Sequence, residues 1–181
     1  MIVRPATGAD LAAITANYAH HVLHGLGTFE EEPPSVEEIG RRIAAVRALD
    51  LPYLVGDDDG KVVGFAYAAP FRPRTAYRYT VEDSVYVAPA AIGHGVGRAL
   101  VGELIAMCEL MGMRQMLAVI GDSANAASIG LHRSLGFKPA GVCKAVGFKK
   151  GGWVDTVWMQ RPLNAGDSSQ PEGRGLPIGG G

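Results

Sequence analysis

The sequence predicts an α/β protein, strictly an α+β arrangement of helices on one mixed sheet. Stretches with helical spacing of apolar residues interleave with stretches in which apolar residues alternate or run together. Asp57-Asp58-Asp59-Gly60 separates two strand-like runs by a turn that favours hairpin geometry, which makes one antiparallel pair. Farther on, the strand-like runs 79–87 and 115–120 are separated by a helical stretch, and a crossover helix between strands implies a parallel pair. With 181 residues, 48% hydrophobic and 19% charged, the chain suits a single domain with a sizeable core.

Ile2-Val3-Arg4 opens as a short strand, and Thr7-Gly8-Ala9-Asp10 reads as an N-cap with an acidic third residue, starting a helix from Leu11 to His24 that ends near Gly25 and Gly27. Ser35-Val36-Glu37-Glu38 is a capping box in sequence, and Ile39, Ile43, Val46 and Leu49 give the second helix its apolar stripe. Strands follow at 53–55, 62–67 and 79–87, then a helix at 96–111, a strand at 115–120 and a helix from Ala126 to Leu135, stopped by Gly136. Runs 142–148 and 153–160 form a last hairpin around Gly151-Gly152. Residues 1–163 form the domain. From Asn164 to Gly181 the composition turns to Gly, Ser, Pro, Asp and Gln, and the expectation is a disordered tail.

Composition narrows the function classes. A formal net charge of −1 argues against general nucleic-acid binding, which calls for a basic excess, and favours a small polar ligand. The N-terminal residues lack a basic region followed by an apolar run, and no stretch reaches the length of a membrane span, so a soluble, cytoplasmic protein without membrane contact is expected. Cys108 and Cys143 lie among apolar neighbours and read as core thiols. His20 and His24 stand one helical turn apart, but nothing completes a zinc site, so these and His21 read as a solvated helix end and no metal is expected.

The richest stretch is Val81 to Leu100, a strand that empties into Gly93-His94-Gly95-Val96-Gly97-Arg98 and then a helix. Glycines let a phosphate approach the backbone, and the first helical N–H groups face it along the positive end of the macrodipole. The spacing fits neither the dinucleotide fingerprint nor the P-loop. Upstream, Glu82 shares a strand face with Thr80 and Ser84, where a carboxylate needs water, a cation or a substrate, and it reads as a general base or a solvated ion-pair partner. Arg72, Arg74 and Arg78 with Phe71, Tyr77 and Tyr79 enter that strand as a basic, aromatic loop. It is a clamp for a carboxylate or similar oxyanion, or else ordinary surface.

The glycine turn resembles the acetyl-CoA loop of the GCN5-related N-acetyltransferases, with Ile92 where that family prefers Gln or Arg. Within the family the chain is similar to the phosphinothricin and methionine-sulfone acetyltransferases through four ordered segments: 71–87, Asn125-Ala126-Ala127-Ser128, Leu131-His132-Arg133-Ser134-Leu135-Gly136-Phe137, and 146–155. The resemblance covers residues 1–163 and implies central parallel strands that splay apart to admit the pantetheine arm of the cosubstrate acetyl-CoA. It also implies a homodimer through the C-terminal hairpin, with Phe148, Lys149 and Trp153 near the neighbour's pocket.

The residue roles that follow are expectations. Glu82 is the base that frees the acceptor amine, and His132, at a position where many members carry Tyr, is a proton donor to the CoA thiolate, a cofactor contact or a structural residue. Backbone amides of Val85, Tyr86 and Val87 supply the oxyanion donors. The loop from Gly93 through His94, Gly95, Val96, Gly97 and Arg98 holds the diphosphate. Asn125, a natural helix N-cap, reaches the pantetheine amide, with Ser128 beside it. Phe29, Arg72, Arg74, Thr75, Ala76 and Tyr77 bind the acceptor. The implied reaction is direct acetylation of the α-amine of a small amino acid or toxic analogue. The alternatives are a peptide or protein acceptor, and a sensor that binds acetyl-CoA without turnover.

Overall fold

In the computed structural model, which describes residues 1–179, seven strands form one sheet in the order β1-β2-β3-β4-β5-β7-β6. The elements run β1 (Ile2–Pro5), α1 (Leu11–His24), α2 (Val36–Arg47), β2 (Tyr53–Asp58), β3 (Lys61–Pro70), β4 (Thr80–Val87), α3 (Val96–Leu110), β5 (Gln115–Gly121), α4 (Ala126–Ser134), β6 (Lys138–Lys149) and β7 (Gly152–Pro162). Every expected element is present, and the β4–β5 pair joined by α3 is parallel while every other pair is antiparallel.

Local chemistry fixes the connections. Ser35 Oγ accepts the Glu38 amide at 3.2 Å and starts α2. The β2–β3 turn places Asp59 and Gly60 both at positive φ, which matches the twist of a two-residue hairpin. At the N-terminus, Arg4 clasps Asp10 with two bonds of 2.8 Å, and Asp10 also accepts from the Thr7 amide and hydroxyl. That set pulls the Asp10 carboxyl far below its usual range, the Arg4 hydrogen bond being the largest cause.

Side chains alternate along β4, so Val81, Asp83, Val85 and Val87 share one face and Glu82, Ser84 and Tyr86 the other. The first face packs on α3: a Cβ on Gly64, which pairs with Val87, would meet Val96 and Leu100. The second packs on α1, where Tyr18 meets Tyr86 edge-on at 4.9 Å. A buried core fills both layers, with Phe65, Leu100, Leu104, Met116 and Met159 almost fully enclosed.

β6 begins four residues earlier than the sequence suggested and takes in Pro139, which an edge strand tolerates because one side of its backbone faces water. The same edge position corrects the reading of Cys143, which is exposed; Cys108 is buried on α3. Residues 164–179, expected to be disordered, contain no helix or strand but lie along the body. Leu176 is buried and its amide donates to Arg78 O, Tyr79 Oη donates to Gly173 O, and the Arg114 guanidinium donates to the carbonyls of Gly166, Ser169 and Gln170. Residues 180 and 181 lie outside the described residues. No described helix is long and apolar enough to cross a membrane.

Candidate active site

The parallel pair at the sheet's centre is paired only from Thr80↔Gln115 to Asp83↔Ala118. Beyond that point β4 continues to Val87 and β5 to Gly121 without bonding each other, so the strands part and a cavity of about 580 Å³ opens between them. Ala88 N donates to Val63 O, so the even residues of β4 bond to β3 and the amides of Val85 and Val87 point into the split. Tyr86 also lines the cavity, but its backbone N–H and C=O face β3.

Helix α1 satisfies two of the carbonyls at this strand end. His21 Nε2 donates to Val87 O at 2.9 Å, and Asn17 Nδ2 to Tyr86 O at 3.4 Å. Burial lowers the His21 pKa, against a smaller rise from its bond to Val87, which favours a neutral ring protonated at Nε2. His21 was expected at a solvated helix end; it lines the cavity. The signal that separates it from His20 and His24 is its place one turn past Asn17, on the helix face that meets the sheet.

At the cavity's other wall Gly93 and Gly95 have φ of 84° and 81°, and Gly95 is the residue that starts α3. Side chains rarely adopt that conformation, so these two glycines are what lets the turn close and aim the first amides of a 15-residue helix into the cavity. Val96, Gly97 and Arg98 line it, with Arg98 exposed, whereas His94 is exposed and does not. Asn125 Oδ1 accepts the Ser128 amide at 3.1 Å, capping α4, and Asn125 and Ser128 both line the cavity.

Two consecutive acids stand where the strands part. Glu82 is half-buried on the α1 face. Burial pushes its pKa up, the Arg72 charge opposes this, and Asp83 adds to it, for a net rise. Arg72 lies over the rings of Phe71 at 4.5 Å and Trp158 at 5.7 Å. Asp83 is on the opposite face, 5% exposed, with Oδ2 3.0 Å from Nε2 of His132, itself 2% exposed. The ring's Nδ1 lies 2.8 Å from Ser128 O. Burial lowers the His132 pKa, but the Asp83 hydrogen bond and charge and the Ser128 carbonyl outweigh it, so the net shift is upward. Sequence reasoning missed Asp83, although alternation along a strand puts one of two adjacent acids inside.

On the α1 face the loop after α1 straps across the strand ends. Leu26 O rests where a Cβ on Gly121 would be, and the Phe29 ring lies over Gly147. Lys149 is buried in its own chain, donating to Thr28 O at 2.7 Å, and burial lowers its pKa. Thr75, Ala76 and Tyr77 form an exposed 3-10 turn, with Tyr77 edge-on to Phe71 at 5.5 Å. Arg72 is thus brought toward Glu82, while the Arg74 side chain is exposed and has no hydrogen bond or ion pair among the described residues, its carbonyl accepting from the Tyr77 amide at 2.9 Å. A second cavity, about 310 Å³, lies between α2 and β3 with Ala69, the residue opposite Glu82, in its wall.

A family model described as an acetyltransferase (GNAT) domain matches residues 3–158. The chain is 59% identical over 170 residues, 94% of its length and 86% of the relative's, to a phosphinothricin N-acetyltransferase of Alcaligenes faecalis. It is 41% identical to an L-methionine sulfoximine/L-methionine sulfone acetyltransferase of Salmonella typhimurium, covering 91% of this chain and 95% of that one. Among solved structures, a GNAT superfamily phosphinothricin acetyltransferase from Sinorhizobium meliloti in complex with AcCoA superposes with a TM-score of 0.93 at 48% identity, covering 97% and 95% of the two chains.

Proposed function

The chain belongs to the GNAT acetyltransferase family, and from that premise we propose that it transfers the acetyl group of acetyl-CoA directly to the α-amine of a small amino-acid analogue such as phosphinothricin, methionine sulfoximine or methionine sulfone. The observation that carries this reading is the split beyond Asp83↔Ala118, which opens toward the glycine turn and the start of α3; Asp83 lines it, and Glu82, the preceding residue, lies on the other sheet face outside its lining. The residues fit acetyl-CoA. The left-handed glycines at the start of α3 form an anion cradle, and the amides of Val85 and Val87 are released by the splay.

Acetyl-CoA supplies an activated acyl thioester; the chain's own residues do the rest. One of the Val85 and Val87 amides, which stand about 6.6 Å apart along the strand, donates to the acyl oxygen as it gains charge and the other to the pantetheine arm, and the first turn of α3 with Arg98 holds the diphosphate. Glu82 takes the proton from the acceptor's ammonium. An alkylammonium has a pKa near that of lysine, about 10, so little of it is neutral at pH 7 and a carboxylate with a raised pKa is suited to this. Arg72 fixes the acceptor's carboxylate, Phe29 and Tyr77 flank it, and the cavity under Ala69 has room for the side chain. Arg74, Thr75 and Ala76 complete the rim of this loop.

A homodimer through the β6–β7 hairpin accounts for its exposed apolar side chains, Val142, Val146 and the edge-on pair Phe148 and Trp153, the last 70% exposed. Lys149 serves the strap inside its own chain in this arrangement. Sedimentation of Trp153→Ser tests it: the variant runs as a monomer, and an unchanged mass rejects the interface. A cytoplasmic location suits an enzyme that draws on acetyl-CoA.

Release of CoA thiol on mixing protein, acetyl-CoA and a panel of acceptors tests the function. The panel holds phosphinothricin, methionine sulfone, methionine sulfoximine, free amino acids and an N-terminal peptide. Release with one of the first three is expected; release with the peptide alone, or none at all, contradicts the reading.

A further inference from the structure

Asp83 and His132 meet where β4 and β5 part, both buried and both lining the cavity. Ser128 O can only accept, so Nδ1 of the ring carries a proton. The other ring nitrogen faces Asp83 Oδ2, and a carboxylate this deeply buried requires a compensating charge. The neighbouring elements offer none but this ring. Cys108 of α3 feels the Asp83 charge, and burial first and that charge second push its thiol up to about 12, so it stays neutral. Ala118 and Ile120 of β5 are apolar, and Phe137 packs edge-on to the ring at 5.0 Å. The remaining carboxylate oxygen, Oδ1, is buried with no hydrogen-bond partner among the described residues, on a residue that lines the cavity. An unsatisfied buried charge of this kind is rare in folded proteins and marks functional positions.

We propose that Asp83 is a positioning residue for the departing thiol: it holds His132 doubly protonated in a charge-neutral pair at the apex of the split, and that pair supplies the proton taken up by the CoA sulfur. The proposal rests on the acetyltransferase reading. As the C–N bond forms and the C–S bond breaks, the C–S electron pair passes to sulfur. The Nε2–H bond of His132 then breaks as S–H forms, leaving an imidazole protonated only at Nδ1 beside a carboxylate whose uncompensated charge draws the proton back from water, while the ammonium's proton leaves through Glu82 to solvent. Water reprotonates the pair before the next turnover. A lone Asp83 carboxylate at the apex would repel a sulfur gaining negative charge; the paired one does not. His132, with both nitrogens engaged, acts as half of this unit rather than as a free imidazole.

The test uses the full chain and begins with thiol release by the wild type. No release with any acceptor overturns the acetyltransferase reading and this proposal together. With an active wild type, the imidazole resonances of His132 are titrated by NMR in the wild type and in Asp83→Asn, without ligands. His132 should stay protonated to higher pH in the wild type than in the variant. Asp83→Asn and His132→Gln should each lower kcat on the order of 10²-fold with the KM for acetyl-CoA nearly unchanged. The double variant should lose no more than either alone. Should Asp83→Asn not fold, the His132→Gln pH profile carries the test, and its alkaline limb should be absent. An unmoved His132 titration, or losses that multiply in the double variant, would overturn the proposal while the acetyltransferase reading stands.

Discussion

Glu82 and Asp83 are adjacent in the chain and live in different media. Glu82 is half-buried on the α1 face, within the field of Arg72; Asp83 is sealed on the α3–α4 face with His132. One carboxyl is within the field of an exposed cation, and the other is hydrogen-bonded to a buried ring. The pleat of a single strand therefore delivers two acids to opposite faces of the sheet where β4 and β5 part. In the proposed reaction the acceptor's proton is handled on one face and the donor's leaving group on the other.

The largest expected effect comes from removing the Glu82 charge. Glu82→Gln should lower kcat by about 10²–10⁴ and leave acetyl-CoA affinity by calorimetry unchanged, because the cradle of α3 is untouched. An equal loss of affinity would mean that Glu82 shapes the split rather than serving the amine. Next in size is Arg72→Gln, expected to raise the acceptor KM by roughly tenfold or more, as for a charge-assisted hydrogen bond. Arg72 holds the Glu82 pKa down against burial, so its loss should push that pKa higher still and move the acid limb of the rate profile to higher pH. A KM rise with no movement of that limb would uncouple the two residues.

The smallest effect is on stability and belongs to the Asp83 side. The folded His132 pKa is raised, so its contribution is fully present below the unfolded value near 6.5 and is lost as pH rises through the folded value. Thermal melting of the wild type should therefore decline with pH above neutrality more steeply than that of His132→Gln. Parallel curves would show that folding leaves the His132 pKa unchanged, against a charged pair. The opposite dependence belongs to Asp10, whose depressed pKa gives stability above the usual carboxylate range that is lost on acidification.

Much of this was legible in the sequence because it is written in local chemistry. The Asp-Gly hairpin, the capping Ser35, and glycines at positions 93 and 95 where φ is positive each announce their geometry through residue type. The splay was legible only through family resemblance, since nothing in residues 84–87 or 119–121 says that two strands stop pairing. Partners distant in sequence were not legible. His21 on Val87, Lys149 on Thr28 and Asp83 on His132 depend on how layers stack, which residue type alone does not encode. Cys143 was misread for the same reason: apolar neighbours suggested a core, but the strand lies at the sheet's edge.

The division of labour between the two acids is tested most directly by kcat for wild type, Glu82→Gln and Asp83→Asn. The acceptors would be a series of amino-acid analogues whose amine pKa falls while the carboxylate is kept. A less basic amine needs less help losing its proton, so the Glu82→Gln defect should shrink along the series and the Asp83→Asn defect should stay constant. Defects that shrink together, or neither, would contradict the account.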